Sequence, residues 1–133
     1  MDVKKLDQNE DLKNDGVWMR WDSEGGMVKI RHTYSKKYTQ ARQEAERKLR
    51  RQKMYRPDKS LSTEEELEIT KVAVAHGMIV DWKGFRDGDA EFPYSEANAL
   101  DLCQRVSFCL KAVNMGADDA NYELENLEIL GGN

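Results

Sequence analysis

Hydrophobic residues along this chain follow two spacings, and the changes between them mark out its elements. In residues 17–21, Val17, Met19 and Trp21 alternate with Trp18 and Arg20; in residues 28–31, Val28 and Ile30 alternate with Lys29 and Arg31. A period of two is the strand spacing, and Gly25-Gly26 between the runs reads as the turn of a β-hairpin. A lone two-stranded hairpin is marginal in water, so it must pack on helices or pair with another chain. From Ser35 the spacing becomes helical. Tyr38, Ala41, Ala45 and Leu49 form a thin stripe, with Ser35 as the cap and Pro57 as the limit. A second helix opens at Ser62 or Thr63 with Glu64, Glu65 and Glu66 in its first turn. It runs through Leu67, Ile69, Val72, Ala73, Ala75 and His76, and Gly77 loosens its end. Ile79-Val80 then predicts a shift to extended chain. A third helix starts at the N-cap Ser95, carries Ala97, Leu100, Leu102, Cys103, Val106, Leu110 and Val113, and ends at Gly116. Tyr122, Leu124, Leu127 and Leu130 predict a short last helix.

Between the second and third helices lies "DWKGFRDGDAEFPYS", rich in turn chemistry at Gly84 and Asp87-Gly88. Trp82, Gly84, Phe85, Gly88, Phe92, Pro93, Tyr94 and Ser95 read as a structural corner that fixes the angle between the flanking helices. Residues 1–14 are polar and aperiodic and read as a flexible N-terminal tail. Residues 15–133 read as a single α-rich domain. The predicted fold class is mainly α with a small N-terminal β-hairpin (α+β), its helices packed around a short turn-rich corner.

Composition sharpens this in three ways. Charged residues make up 35% of the 133 and hydrophobic ones 39%, which predicts long solvated helices or a disordered end. No apolar run approaches the roughly 20 residues that span a bilayer, so no membrane role is expected. Charge is lopsided: residues 1–59 hold 16 Lys/Arg against 10 Asp/Glu, and residues 60–133 hold 5 against 15. Such polarity favours contacts between copies, or a partner read by one half only. Cys103 and Cys109 lie six apart in one helical pattern, a spacing that fits neither a disulfide nor a zinc knuckle, so both read as small buried hydrophobes in a reducing cytoplasm.

No catalytic constellation stands out. His32 and His76 lack nearby ligand spacing, "DGD" at 87–89 has only part of a calcium loop, and Ser95 has no histidine base near it in sequence. No enzyme, metal or cofactor is expected. The sharpest charged feature is the helix over residues 36–56, with nine cations in 21 positions. Those cations spread around the helix with only Tyr38 and Tyr55 interleaved, which argues against nucleic acid and for a solvated face or an acidic neighbour. Trp18 and Trp21 point to opposite faces of an alternating strand, so one indole stays open unless another chain, or the basic helix of the same chain, covers it. Trp18, Trp21, Met27, Tyr38, Leu49 and Met54 are the candidate partner contacts.

The segment "VAHGMIVDWKGFRDGDAEFPYSEANALDLC" resembles the small tail assembly chaperones of long-tailed bacteriophages. The likeness rests on Trp82-Lys83-Gly84, Asp87-Gly88, Phe92-Pro93-Tyr94-Ser95 and Glu96-Ala97-Asn98-Ala99, about a quarter of the chain. The resemblance implies a mainly helical, non-enzymatic protein that self-associates and keeps the tape-measure protein soluble while tail-tube subunits polymerise around it. It further implies a cytoplasmic location in the infected host, absence from the finished virion, and a longer frameshifted version or the tail-tube protein as further partners. Two other roles remain open from the sequence: another morphogenesis subunit, for tail completion or head–tail joining, and a small nucleic-acid-binding regulator using residues 36–56.

Overall fold

The computed structural model of the chain describes residues 1–52 and 60–126. The expectations for Met54, Tyr55, Pro57, Leu127 and Leu130 lie outside those residues.

The predicted hairpin forms from β1 (Val17–Arg20) and β2 (Met27–Ile30), with Val17 opposite Ile30 and Arg20 opposite Met27. Its turn is held by Asp22, whose Oδ1 accepts from the amides of Glu24 and Gly26, each at 3.0 Å. The hairpin does not stand alone. The stretch expected only to be extended is a third strand, β3 (Ile79–Lys83), antiparallel to β2 in the order β1-β2-β3. Pairing shifts between Lys29 and Ile30, which sets Val80 and Asp81 together in a bulge. That extra residue lets Ile79 and Trp82 both face inward although they are three apart. Val17, Met19, Val28, Ile30, Ile79 and Trp82 are all buried on this inner face.

Helices cover the inner face. Helix α2 (Lys36–Gln52) packs against α3 (Thr63–Ala73) and against the π-helical turn Val74–Met78 that carries the chain into β3. Ser62 caps α3 in a full capping box, its Oγ accepting from the Glu65 amide at 3.1 Å while Glu65 Oε1 accepts from the Ser62 amide at 3.0 Å. Gly77 is where α2 crosses the π turn. A Cβ there would lie 2.6 Å from the Lys37 carbonyl oxygen and 2.8 Å from Tyr38 Cα, so only glycine permits this approach.

The long third helix of the sequence reading is two helices, α4 (Glu96–Cys103) and α5 (Val106–Ala117). The backbone of Arg105 is extended, at φ −83 and ψ 116. No glycine or proline marks the break. Its cause is tertiary, because bending lets α4 bury Ala99 and Cys103 while α5 buries Cys109, Ala112 and Gly116. Arg105 also donates from Nη1 to the Asp101 carbonyl at 2.8 Å, satisfying an acceptor at the end of α4.

The first 14 residues are a second correction. Expected as a flexible tail, they form most of α1 (Val3–Asp15), capped by Asp2, which accepts from the Lys4 amide at 3.0 Å. None of its residues is buried, which is why the hydrophobic pattern missed it. Its last turn is held by Leu12, partly buried against the core, and by polar bonds. The Lys13 carbonyl accepts from the His32 amide, and the Asn14 carbonyl accepts from Arg31 Nε, both at 3.0 Å. At the C-terminal end a 3₁₀ turn (Asp119–Tyr122) buries Tyr122, whose hydroxyl donates to the Ile30 carbonyl at 3.0 Å. No helix among the described residues is long and apolar enough to cross a membrane.

Candidate partner interface

Trp82 anchors the turn-rich corner. It is 4% exposed, and its Nε1 donates to the Phe92 carbonyl at 2.7 Å. Phe85 and Phe92 stack on it at 5.2 and 5.9 Å between centroids, and Tyr94 meets it edge-on at 5.1 Å. Between these rings the chain doubles back as β4 (Arg86–Asp87) and β5 (Ala90–Glu91), with Gly88 in the turn. Gly84 has φ +75, and a Cβ would fall 2.5 Å from the Gly25 carbonyl oxygen, so the corner is seated on the hairpin turn. Ser95 accepts from the Asn98 amide at 3.0 Å, and Asn98 Nδ2 donates back to the Pro93 carbonyl at 2.8 Å. Pro93 and Ser95 therefore join the corner to α4.

The sequence-derived contact residues separate onto three parts of the surface. Trp21 belongs to the aromatic cluster, 4.5 Å from Phe108 and 6.0 Å from Phe85. Lys111 places Nζ 4.5 Å from its ring and donates to its carbonyl. Trp21, Phe85 and Phe108 line a groove of about 490 Å³ between the hairpin turn, the corner and the α4–α5 junction, rimmed by Glu24, Asp87 and the Asp101–Arg105 pair. Trp18 and Met27 lie on the outer face of the sheet, both half-buried, with Lys83 Nζ 4.7 Å from the Trp18 ring. Tyr38 is a correction: its ring is turned into the core and 7% exposed, because α2 packs closely on the π turn. Leu49 is half-buried on α2.

Sequence reasoning missed one feature. Val106 and Leu110, read as part of an apolar helix, are 42% and 48% exposed on α5, the helix whose Phe108 lines the groove. Four residues apart, they share one side of the helix. The signal that could have found them is the width of the apolar pattern. Only a stripe of α5 fits against the core, and a helix apolar over more than that leaves the surplus outside.

The basic helix finds its acidic neighbour inside the same chain. Arg42 donates to Glu66 at 2.7 Å and to Thr70 at 2.8 Å across the α2–α3 contact. Within α2, Arg47 pairs with Glu44 and Arg50 with Glu46. Both cysteines are free and buried, and burial, with a smaller push from Cys109, raises the Cys103 thiol to about 12. His32 is 1% exposed and serves the fold. Its Nδ1 accepts from the Tyr34 amide at 3.0 Å, so its Nε2 carries the proton shared with Asp119 at 2.7 Å. Among the described residues no three His, Cys, Asp or Glu side chains gather as a metal site.

These elements define a mainly α protein built on a small antiparallel sheet, with an aromatic groove and exposed apolar side chains on its surface. Residues 33–133 match the model of the YdaY prophage protein family, and the chain belongs to that family; it is a phage-derived protein. The α3-to-α5 segment lies wholly within the match, whereas α1 and the β1–β2 hairpin precede it. No curated protein and no solved structure matches the chain.

Proposed function

We propose that the protein is a non-enzymatic assembly chaperone for a phage tail, holding the helical tape-measure protein soluble until tail-tube subunits enclose it. The observation that carries this reading is the exposure of Val106 and Leu110 on one side of α5, the helix that also contributes Phe108 to the aromatic groove. An apolar helix laid along α5 would cover the exposed pair, as apolar anchors four residues apart do when two helices pack. Membership of a prophage protein family supports a role in the phage life cycle. The resemblance of the corner segment to tail assembly chaperones supplies the particular partner.

The test is co-expression with the tape-measure protein, comparing wild type with the double variant Val106→Asp/Leu110→Asp. Both side chains are exposed, and an aspartate at position 106 sits in the first turn of α5, where a carboxylate is favoured. The variant should therefore fold as wild type. The reading expects the tape-measure protein to be soluble with wild type and to precipitate with the variant. Equal solubility with no chaperone present would remove the proposal.

A further inference from the structure

The outer face of the sheet has a composition of its own. Strand pairing sets Trp18 beside Lys29 and Arg20 beside Met27, and continues to Asp81 and Lys83 on β3. None of these six side chains is buried, while their inward neighbours Met19, Val28 and Trp82 are. The face thus offers one indole and one thioether among three cations. Among the described residues, Arg20, Lys29 and Lys83 have no carboxylate within ion-pair distance. The face's own carboxylate, Asp81, accepts the Trp82 amide at 2.8 Å instead. In a chain of net charge −4 this is a local excess of positive charge around apolar groups.

From this juxtaposition we infer that the outer sheet face is a docking surface for an acidic amphipathic segment of a protein partner: apolar side chains lie between Trp18 and Met27, and carboxylates pair with Arg20, Lys29 and Lys83. Charge complementarity selects the carboxylates, since unpaired surface cations steer and orient an acidic partner. A nucleic acid would use the same cations for phosphate, but it would also need the open face of the indole for a base. Lys83 already occupies that ring at 4.7 Å. A carboxylate can pair with Lys83 where it stands, whereas a base must displace it. The inference deepens the chaperone reading by naming the chemistry of one partner segment, on a face separate from α5.

The experiment is a titration of the full-length chain with three probes: a synthetic amphipathic helical peptide with glutamates flanking its leucine stripe, the same peptide with lysines in place of the glutamates, and a short single-stranded oligonucleotide. The readouts are the Trp18 indole NMR signal, assigned with Trp18→Phe, and the dissociation constant. The acidic peptide should bind, move the Trp18 signal, and weaken as salt rises. Arg20→Glu/Lys83→Glu reverses two exposed charges without touching the core, and thermal unfolding checks its fold. It should weaken the acidic peptide about tenfold or more, the sum of several surface charge contacts. Equal binding of the acidic and basic peptides, an unmoved Trp18 signal, or undiminished affinity in the double variant would overturn the inference. Tighter binding of the oligonucleotide would overturn it in favour of a nucleic-acid surface. In the co-expression assay the two proposals fail separately. If Arg20→Glu/Lys83→Glu keeps the tape-measure protein soluble while Val106→Asp/Leu110→Asp does not, the chaperone reading stands and the sheet face is not its acidic-segment site.

Discussion

Trp82 shows how one residue can serve the whole corner. Its indole takes stacking contacts from Phe85 and Phe92 and an edge contact from Tyr94, and its N–H satisfies the Phe92 carbonyl. Trp82→Ala removes these together and leaves a cavity, so unfolding in denaturant should show a loss of about 3–5 kcal/mol. Asp119 carries a pH dependence. Its hydrogen bond to His32, and then the charge of Lys13, hold its carboxyl below the usual 3.8. A carboxylate with a depressed folded pKa adds stability above its unfolded value and loses it as pH falls through the folded one. The latch between the 3₁₀ turn and His32 should therefore weaken on acidification below about pH 4. Asp119→Asn should flatten that acid limb of the stability–pH curve, measured by thermal unfolding across pH. At this scale much was legible in the sequence. Ser62, Ser95 and the hairpin glycines act through neighbours a few residues away, and so do their sequence signals. Tyr38 was not legible as buried, because its partner surface is the π turn some 40 residues on.

Elements were legible where they announce themselves locally and illegible where distant chain decides them. The hairpin, α2 and α3 follow from period and caps. Strand β3 required knowing that β2 had a free edge. The division into α4 and α5 required knowing which small residues must reach the core. Helix α1 has no apolar period to read, since Leu12 and polar bonds at its last turn hold it. The crossing of α2 over the π turn depends on Gly77, where a methyl group would meet backbone rather than flexible side chain. Gly77→Ala should cost about 1–3 kcal/mol by overpacking, despite alanine's better helix propensity. Unfolding in denaturant checks this, and a stabilised Gly77→Ala would show that α2 is free to lift.

For the whole molecule, the lopsided charge of the sequence acquires a physical reading. Part of it is met internally, where Arg42 of the basic α2 pairs with Glu66 in the acidic first turn of α3. What remains outside is patterned: an apolar pair and aromatic groove on the α5 side, and cations around Trp18 on the outer sheet face. Neither grouping was visible in the linear chain, since register and helix bending assemble both. Of the contact residues named from sequence, the fold sends Trp18 and Trp21 to different surfaces and turns Tyr38 into the core, and it leaves Val106 and Leu110 exposed besides. On the proposed function, the protein covers apolar segments of another chain with these surfaces. Amide hydrogen exchange on the chain with and without the tape-measure protein tests it most directly. New protection is expected over residues 102–111 and the groove-lining residues 84–88, with α2 unchanged. Protection confined to α2, or none anywhere, would contradict it.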